Sequence, residues 1–268
     1  MRNRILLVLL PVVVSLLSCS PSSRRSGALH FISIEEELSL ARMLNAQATN
    51  ELKILRNQKV TAFFDEIGKQ IGAQSDWSGL EYHVWIINEP DINHFSLPGG
   101  SIFLYRGLID LADEAAEVAL IIAHEVAHIT ARNAINRVAE KYGYAFAAQS
   151  LIGENPEIPS RIIAELYADG TILDYPLDQE YNADRNGVKV AWKANYDPRA
   201  FLTILEKIRH AESATPQLTE RLLLTHPATA TRYRRVKPEI SKAPRKTTLR
   251  RNLPEFQEIK DLLQKIPQ

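Results

Sequence analysis

With one cysteine among 268 residues, the chain cannot close an internal disulfide and cannot build a cysteine-rich metal cluster. A metal would have to be held by histidine and carboxylate, and seven histidines leave that route open. Net charge is also missing. The 32 Lys and Arg balance 32 Asp and Glu, so no global field marks the chain as a nucleic-acid binder, and no nucleic-acid partner is expected. Long apolar runs are absent too: nothing approaches the roughly 20 residues that a membrane-spanning helix needs. What remains is 45% hydrophobic and 24% charged, a composition that buries a core and excludes disorder as the dominant state.

The amino terminus reads as an address. Arg2 and Arg4 precede an apolar or small run of 13 residues, Ile5 to Leu17, which has the length of a signal-peptide core and is too short to span a bilayer. Leu16-Leu17-Ser18-Cys19 resembles the lipobox of bacterial lipoproteins, in which the cysteine is lipidated and becomes the new amino terminus. The only cysteine falls on that position. Residues 1–18 are therefore expected to be a signal peptide, and 19–33 a lipidated Cys19 with a flexible tether rich in Ser and Arg. Ser20, rather than an aspartate, follows the cysteine and favours the outer membrane of a bacterial envelope, with the domain facing the periplasm.

Two or more amphipathic helices are expected between Ile34 and Ile71, where apolar residues recur near helical spacing. Alternation then takes over. Tyr82 to Ile87, Asn93 to Leu97 and Ser101 to Tyr105 read as three short strands, the last two separated by the tight turn Pro98-Gly99-Gly100. Asp113, Glu114 and Glu117 open an apolar-rich run to about Asn133, where the positive end of a helix favours acids. Further helices are expected over 178–193 and 198–211. The pattern predicts an α+β fold: a mostly helical zincin-type domain with a small antiparallel sheet. Its boundaries are expected at 34–236, followed by a basic segment, 237–268, with a final amphipathic helix carrying Phe256, Ile259, Leu262, Leu263 and Ile266.

Inside the long helix stands His124-Glu125-Val126-Ala127-His128. Residues four apart differ by roughly 40° around a helix, so both imidazoles leave one face and can take two corners of a zinc tetrahedron. Glu125 lies about 100° round from His124, placed to reach an activated water as a base. A third ligand is needed. Glu180, 52 residues beyond His128, and Asp184 are also four apart on a predicted helix, so one can complete the metal site while the other accepts the N–H of a ligating imidazole.

At these residues the chain resembles the M48 gluzincin metallopeptidases. Four blocks carry the resemblance: Asn93-His94-Phe95-Ser96-Leu97-Pro98-Gly99-Gly100 with the strand that follows, the HEVAH helix, Glu180 to Asp184-Arg185, and Thr225-His226-Pro227-Ala228-Thr229 with Arg232. Carried over position by position, the resemblance implies one zinc ion per chain on His124, His128 and Glu180, and Asp184 behind a ligand. It implies Glu125 as general base, His226 as a catalytic group beside the oxyanion, and Arg232 in support. Two positions depart from the family pattern. Its usual Asn-Ala-Phe is Asn93-His94-Phe95 here, and Asn133 replaces a common histidine. Strand alternation suggests that His94 is a passive residue facing solvent.

The implied activity is zinc-dependent endopeptidase cleavage of unfolded or misassembled cell-envelope proteins. The strand before Pro98 would be the substrate platform, with Asn93, Phe95 and Leu97 as substrate-binding residues. A lipid-anchored periplasmic chaperone or assembly factor with latent protease activity is the alternative. Oligomeric state has no signature in the sequence.

Overall fold

The computed structural model describes residues 33–142 and 173–268, with positions 161, 162 and 165 between them. The expected signal peptide, Cys19 and the tether lie outside the described residues. The first element is set by a capping box: Ser33 Oγ accepts from the Glu36 N–H (3.2 Å), and the Glu36 carboxylate accepts from the Ser33 N–H (2.8 Å). Helix α1 (Ile34–Glu51) follows and buries Leu40, Ala41, Leu44 and Ala48. Asn57 caps α2 (Gln58–Gly72), whose inward stripe is Val60, Phe64, Ile67 and Ile71.

Three strands come next, β1 (His83–Ile87), β2 (His94–Leu97) and β3 (Ser101–Tyr105), in the spatial order β1-β3-β2. β2 and β3 pair antiparallel through the Pro98–Gly100 turn, with His94 opposite Leu104 and Ser96 opposite Ile102. That turn needs its glycines. Gly99 (φ 77°) and Gly100 (φ 98°) both have left-handed backbones, and a Cβ on Gly100 would lie 2.1 Å from the Glu81 carbonyl oxygen. β1 pairs with β3 in parallel, His83 against Ser101 through Ile87 against Tyr105. The sheet is thus mixed where an antiparallel one was expected. After β1 the chain passes through Glu89-Pro90-Asp91 to the far side, and β3 returns between the two earlier strands in the direction of β1.

Alternation along the strands divides the core. Val84, Ile86, Ile102 and Leu104 face α2 and the helix Ala115–Thr130, whereas Ile87, Phe95, Leu97, Phe103 and Tyr105 pack with α1 and the helix Asn133–Tyr142. α3 (Arg106–Leu111) leads into α4 (Ala115–Thr130), buried from Ala115 to Ile129. A helix apolar on every side belongs in a core, and α4 is the central one. α5 (Asn133–Tyr142) follows immediately. Beyond residue 172 come α6 (Leu177–Lys193), α7 (Arg199–Ala214), α8 (Pro216–Thr225), α9 (Thr229–Lys242) and α10 (Glu255–Gln264).

The carboxyl-terminal stretch belongs to the same compact unit, which runs from Phe31 to Gln268. Phe256, Ile259 and Leu263 of α10 join the core that contains α2. Several basic residues between 232 and 251 serve this packing: Lys246 lies 3.6 Å over the Trp192 ring, Arg250 donates to the Ala194 carbonyl (2.9 Å), and Arg251 donates to Glu114 (2.7 Å). Among the described residues, no helix is long and apolar enough to cross a membrane.

Phe256 stacks on Phe63 and meets Phe64 edge-on, at centroid distances of 6.1 and 6.5 Å. Phe256→Ala should cost about 3–5 kcal/mol, because the cavity opens between two helices distant in sequence. Chemical denaturation of the two proteins measures it; a loss below about 1 kcal/mol would mean that α10 is not part of the core.

Candidate metal centre

Two helices build the centre. α4 carries His124, Glu125 and His128, and α6 carries Glu180 and Asp184; all five are buried. The helices approach closely because Gly187, one helical step beyond Asp184 on the same face, has no side chain. A Cβ there would lie 2.9 Å from the His124 backbone nitrogen and 3.0 Å from the Ala123 carbonyl. The spacing Glu180, Asp184, Gly187 is thus one contact stripe, two acids and the gap that seats them.

His124 Nε2 and His128 Nε2 are 3.0 Å apart, His128 Nε2 is 3.1 Å from Glu180 Oε1, and His124 Nε2 is 3.8 Å from Glu180 Oε2. Ligand atoms about 2.0–2.1 Å from a tetrahedral ion are separated by about 3.3 Å, so this triangle has the dimensions of three metal ligands. The tautomer of the first histidine suits the task. His124 Nδ1 faces the Asp184 carboxylate at 2.9 Å, which places the proton on Nδ1 and leaves Nε2 with its lone pair. The Asn133 carboxamide nitrogen lies 2.8 Å from His128 Nδ1, holding the outer edge of the second imidazole.

Charge points the same way. Three buried carboxylates, Glu125, Glu180 and Asp184, face one guanidinium, that of Arg232 on α9. Arg232 reaches Glu180 Oε2 through Nη1 (2.9 Å) and holds Asp184 through Nη2 (2.7 Å) and Nε (3.0 Å). Burial opposes ionisation of Glu180 and Asp184, yet Arg232 overcomes it and holds both carboxyls below their usual range. Burial and the same guanidinium push His124 down, keeping its imidazole neutral. The remaining surplus of negative charge is what a divalent cation would balance.

His226 occupies the turn between α8 and α9, followed by Pro227 and by Ala228, whose backbone is left-handed (φ 64°). Its Nδ1 is 3.1 Å from Glu180 Oε1 and its Nε2 is 3.4 Å from Glu125 Oε1. One ligand atom each from His124, His128, Glu180 and His226 lie within 4.8 Å of one another. Burial works against charge on His226, but Glu180 and Glu125 outweigh it and raise its pKa.

The substrate-binding residues expected from the sequence are placed differently. Phe95 and Leu97 are buried in the layer under α1, Phe95 stacked on Phe103 at 4.8 Å, so their side chains serve the core. Asn93 is also buried and accepts from the His94 N–H (2.8 Å). His94 does not face solvent: it is 1% exposed, with Nδ1 2.5 Å from Glu125 Oε1. The alternation argument chose the wrong face, because both faces of this sheet are covered. Ser96, two residues on, donates to Glu125 Oε2 at 2.6 Å. Tyr175, stacked on His128 at 4.2 Å, had no sequence signal, whereas the shared stripe with Glu180 and Asp184 would have revealed Gly187.

A helix presenting two histidines to a carboxylate from a second helix, with another carboxylate beside the first histidine, defines a metallopeptidase site. Comparison with known proteins agrees. The sequence profile of peptidase family M48 matches residues 54–240, and the chain belongs to that family. It is 24% identical over 206 residues to the beta-barrel assembly-enhancing protease of Escherichia coli, covering 73% of this chain and 42% of that protein. It is 28% identical over 188 residues to the mitochondrial metalloendopeptidase OMA1 of Schizosaccharomyces pombe, covering 68% and 54%, and 30% identical over 166 residues to that of Arabidopsis thaliana, covering 62% and 34%. The chain thus spans about half or less of the length of these relatives.

Gly187→Ala should separate α4 from α6 and cost about 1–3 kcal/mol, as overpacking against backbone does. Metal affinity should fall with stability. Calorimetric metal titration and thermal unfolding measure the two; wild-type values in both would show that the close approach is dispensable.

Proposed function

We propose that the protein is a zinc endopeptidase, with one ion per chain held by His124, His128 and Glu180. The observation that carries this reading is the triangle of ligand atoms at 3.0–3.8 Å with Glu125 one residue from the first ligand. Zinc bound there supplies Lewis acidity toward the scissile carbonyl and lowers the pKa of water at the site toward about 7. Glu125 takes the proton of the attacking water and delivers it to the leaving amine. His226 donates to the developing oxyanion. Asp184 fixes the tautomer of His124, and Arg232 keeps Glu180 and Asp184 ionised and in place.

Substrates on this reading are unfolded or misassembled cell-envelope proteins, bound as an added strand along β2, the sheet edge nearest the site. Recognition through main-chain groups suits clients of varied sequence. Cys19 carries the lipid anchor, with the outer membrane of a bacterial envelope as its destination and the domain facing the periplasm. A latent enzyme acting as an anchored chaperone or assembly factor is the second reading. It is favoured by complete burial: His124, Glu125, His128, Glu180 and His226 each show 0% exposure, so covering groups must move before a peptide enters.

Glu125→Gln should retain stoichiometric metal and lose hydrolysis of an unstructured peptide, whereas His124→Ala, His128→Ala and Glu180→Ala should lose the metal. Asp184→Ala should lower metal affinity or activity about 10- to 100-fold. Full metal occupancy in all three ligand variants would refute the assignment, and hydrolysis by Glu125→Gln at the wild-type rate would refute the mechanism.

Cys19→Ala should move the protein from the membrane fraction to the soluble one. Continued dependence on detergent for its release would rule out acyl anchoring through that residue.

A further inference from the structure

The Glu125 carboxylate is gripped at both oxygens from one strand. His94 and Ser96 leave β2 on the same face and reach α4, His94 Nδ1 lying 2.5 Å from Oε1 and Ser96 Oγ donating to Oε2 at 2.6 Å. Both donors are buried, and sheet register fixes both, since their residues sit opposite Leu104 and Ile102 of β3. A carboxylate at the end of a glutamate side chain turns broadly about its last torsion. Two donors on a rigid strand stop that rotation.

An ionised carboxylate only accepts hydrogen bonds, so at 2.5 Å from Oε1 the His94 ring must carry a proton on Nδ1. Its other face stacks on His226 at 4.3 Å with 23° between the planes. Although ligand atoms of His94, Glu125 and His226 lie within 4.8 Å of one another, this stacking argues against a second ion. Imidazole lone pairs lie in the ring plane, and planes so nearly parallel do not converge on a point about 2 Å from both nitrogens.

We infer that His94, assisted by Ser96, is a positioning residue for the general base: its Nδ1–H fixes the plane and direction of the Glu125 carboxylate, and its ring fixes His226 by stacking. The inference rests on the reading of Glu125 as the base. Nothing else in the described structure donates to Oε1 at comparable distance; His226 Nε2 is 3.4 Å away.

The test uses the full chain with zinc, an unstructured peptide substrate, and four readouts: kcat, KM, zinc per chain and the His94 imidazole N–H proton resonance. His94→Phe keeps a stacking ring and removes the donor, whereas His94→Asn returns an N–H near the place of Nδ1. His94→Phe should lower kcat about 10- to 100-fold, the range seen for groups that orient a catalytic partner, with KM and zinc content unchanged. His94→Asn should recover most of the loss. Wild-type protein should show a downfield N–H resonance assigned to His94 Nδ1, absent in His94→Phe and displaced in Glu125→Gln.

Wild-type kcat in His94→Phe, or a His94 proton on Nε2, would overturn the inference. If His94→Phe does not fold, His94→Ala against His94→Asn makes the same comparison, and equal kcat in those two would overturn it. An active Glu125→Gln variant would instead defeat the reading of Glu125 as the base, while the resonance would still decide whether His94 holds the carboxylate.

Discussion

Everything at the centre depends on one guanidinium. Glu180 and Asp184 are buried one helical turn apart, and two such carboxylates would repel each other and seek water unless a cation sat between them. Arg232 is that cation, itself buried, and it reaches both. With its help, Asp184 stays ionised and accepts the His124 Nδ1 proton, His124 turns Nε2 inward, and Glu180 points an oxygen at His128. Arg232 comes from α9, beyond the His-Pro turn. The helix that supplies the counter-charge is thereby tied to the turn that delivers His226.

This arrangement gives Gly187 its meaning. Carboxylates are short-armed, and a ligand distance is reached only if α6 lies almost against α4. Any larger residue at 187 would put a carbon within about 3 Å of the α4 backbone, and the metal triangle would open. Small residues serve helix contacts elsewhere as packing devices; here the same device sets a coordination distance.

Much of the centre was legible in the sequence because periodicity carries it. The four-residue steps His124 to His128 and Glu180 to Asp184 are geometric statements about helix faces, and both hold in the structure. Four ordered blocks also revealed the family, and His226 and Arg232 both lie beside Glu180 in the structure. What eluded the sequence is tertiary. Alternation says that His94 and Ser96 share a face, but nothing local says that both faces of so small a sheet are covered by helices. The parallel pairing of β1 with β3 was hidden for a similar reason: strand order is a property of the return path, and the hairpin signal at Pro98-Gly99-Gly100 speaks only for its own two strands. Tyr175 reaches His128 from a stretch with no periodicity of its own.

The tight glycine turn between β2 and β3 has a further consequence, for folding fidelity. Slipping β2 by a single residue would exchange its two faces, driving His94 and Ser96 into the apolar layer beneath α1 and setting Phe95 against Glu125. Each buried polar group orphaned in that way costs about 1–3 kcal/mol, and the carboxylate would lose both donors. A misregistered chain is therefore penalised by its own chemistry as well as by its packing. Residues that serve the reaction also proofread the sheet, so the strand pairs correctly or the domain is left measurably less stable.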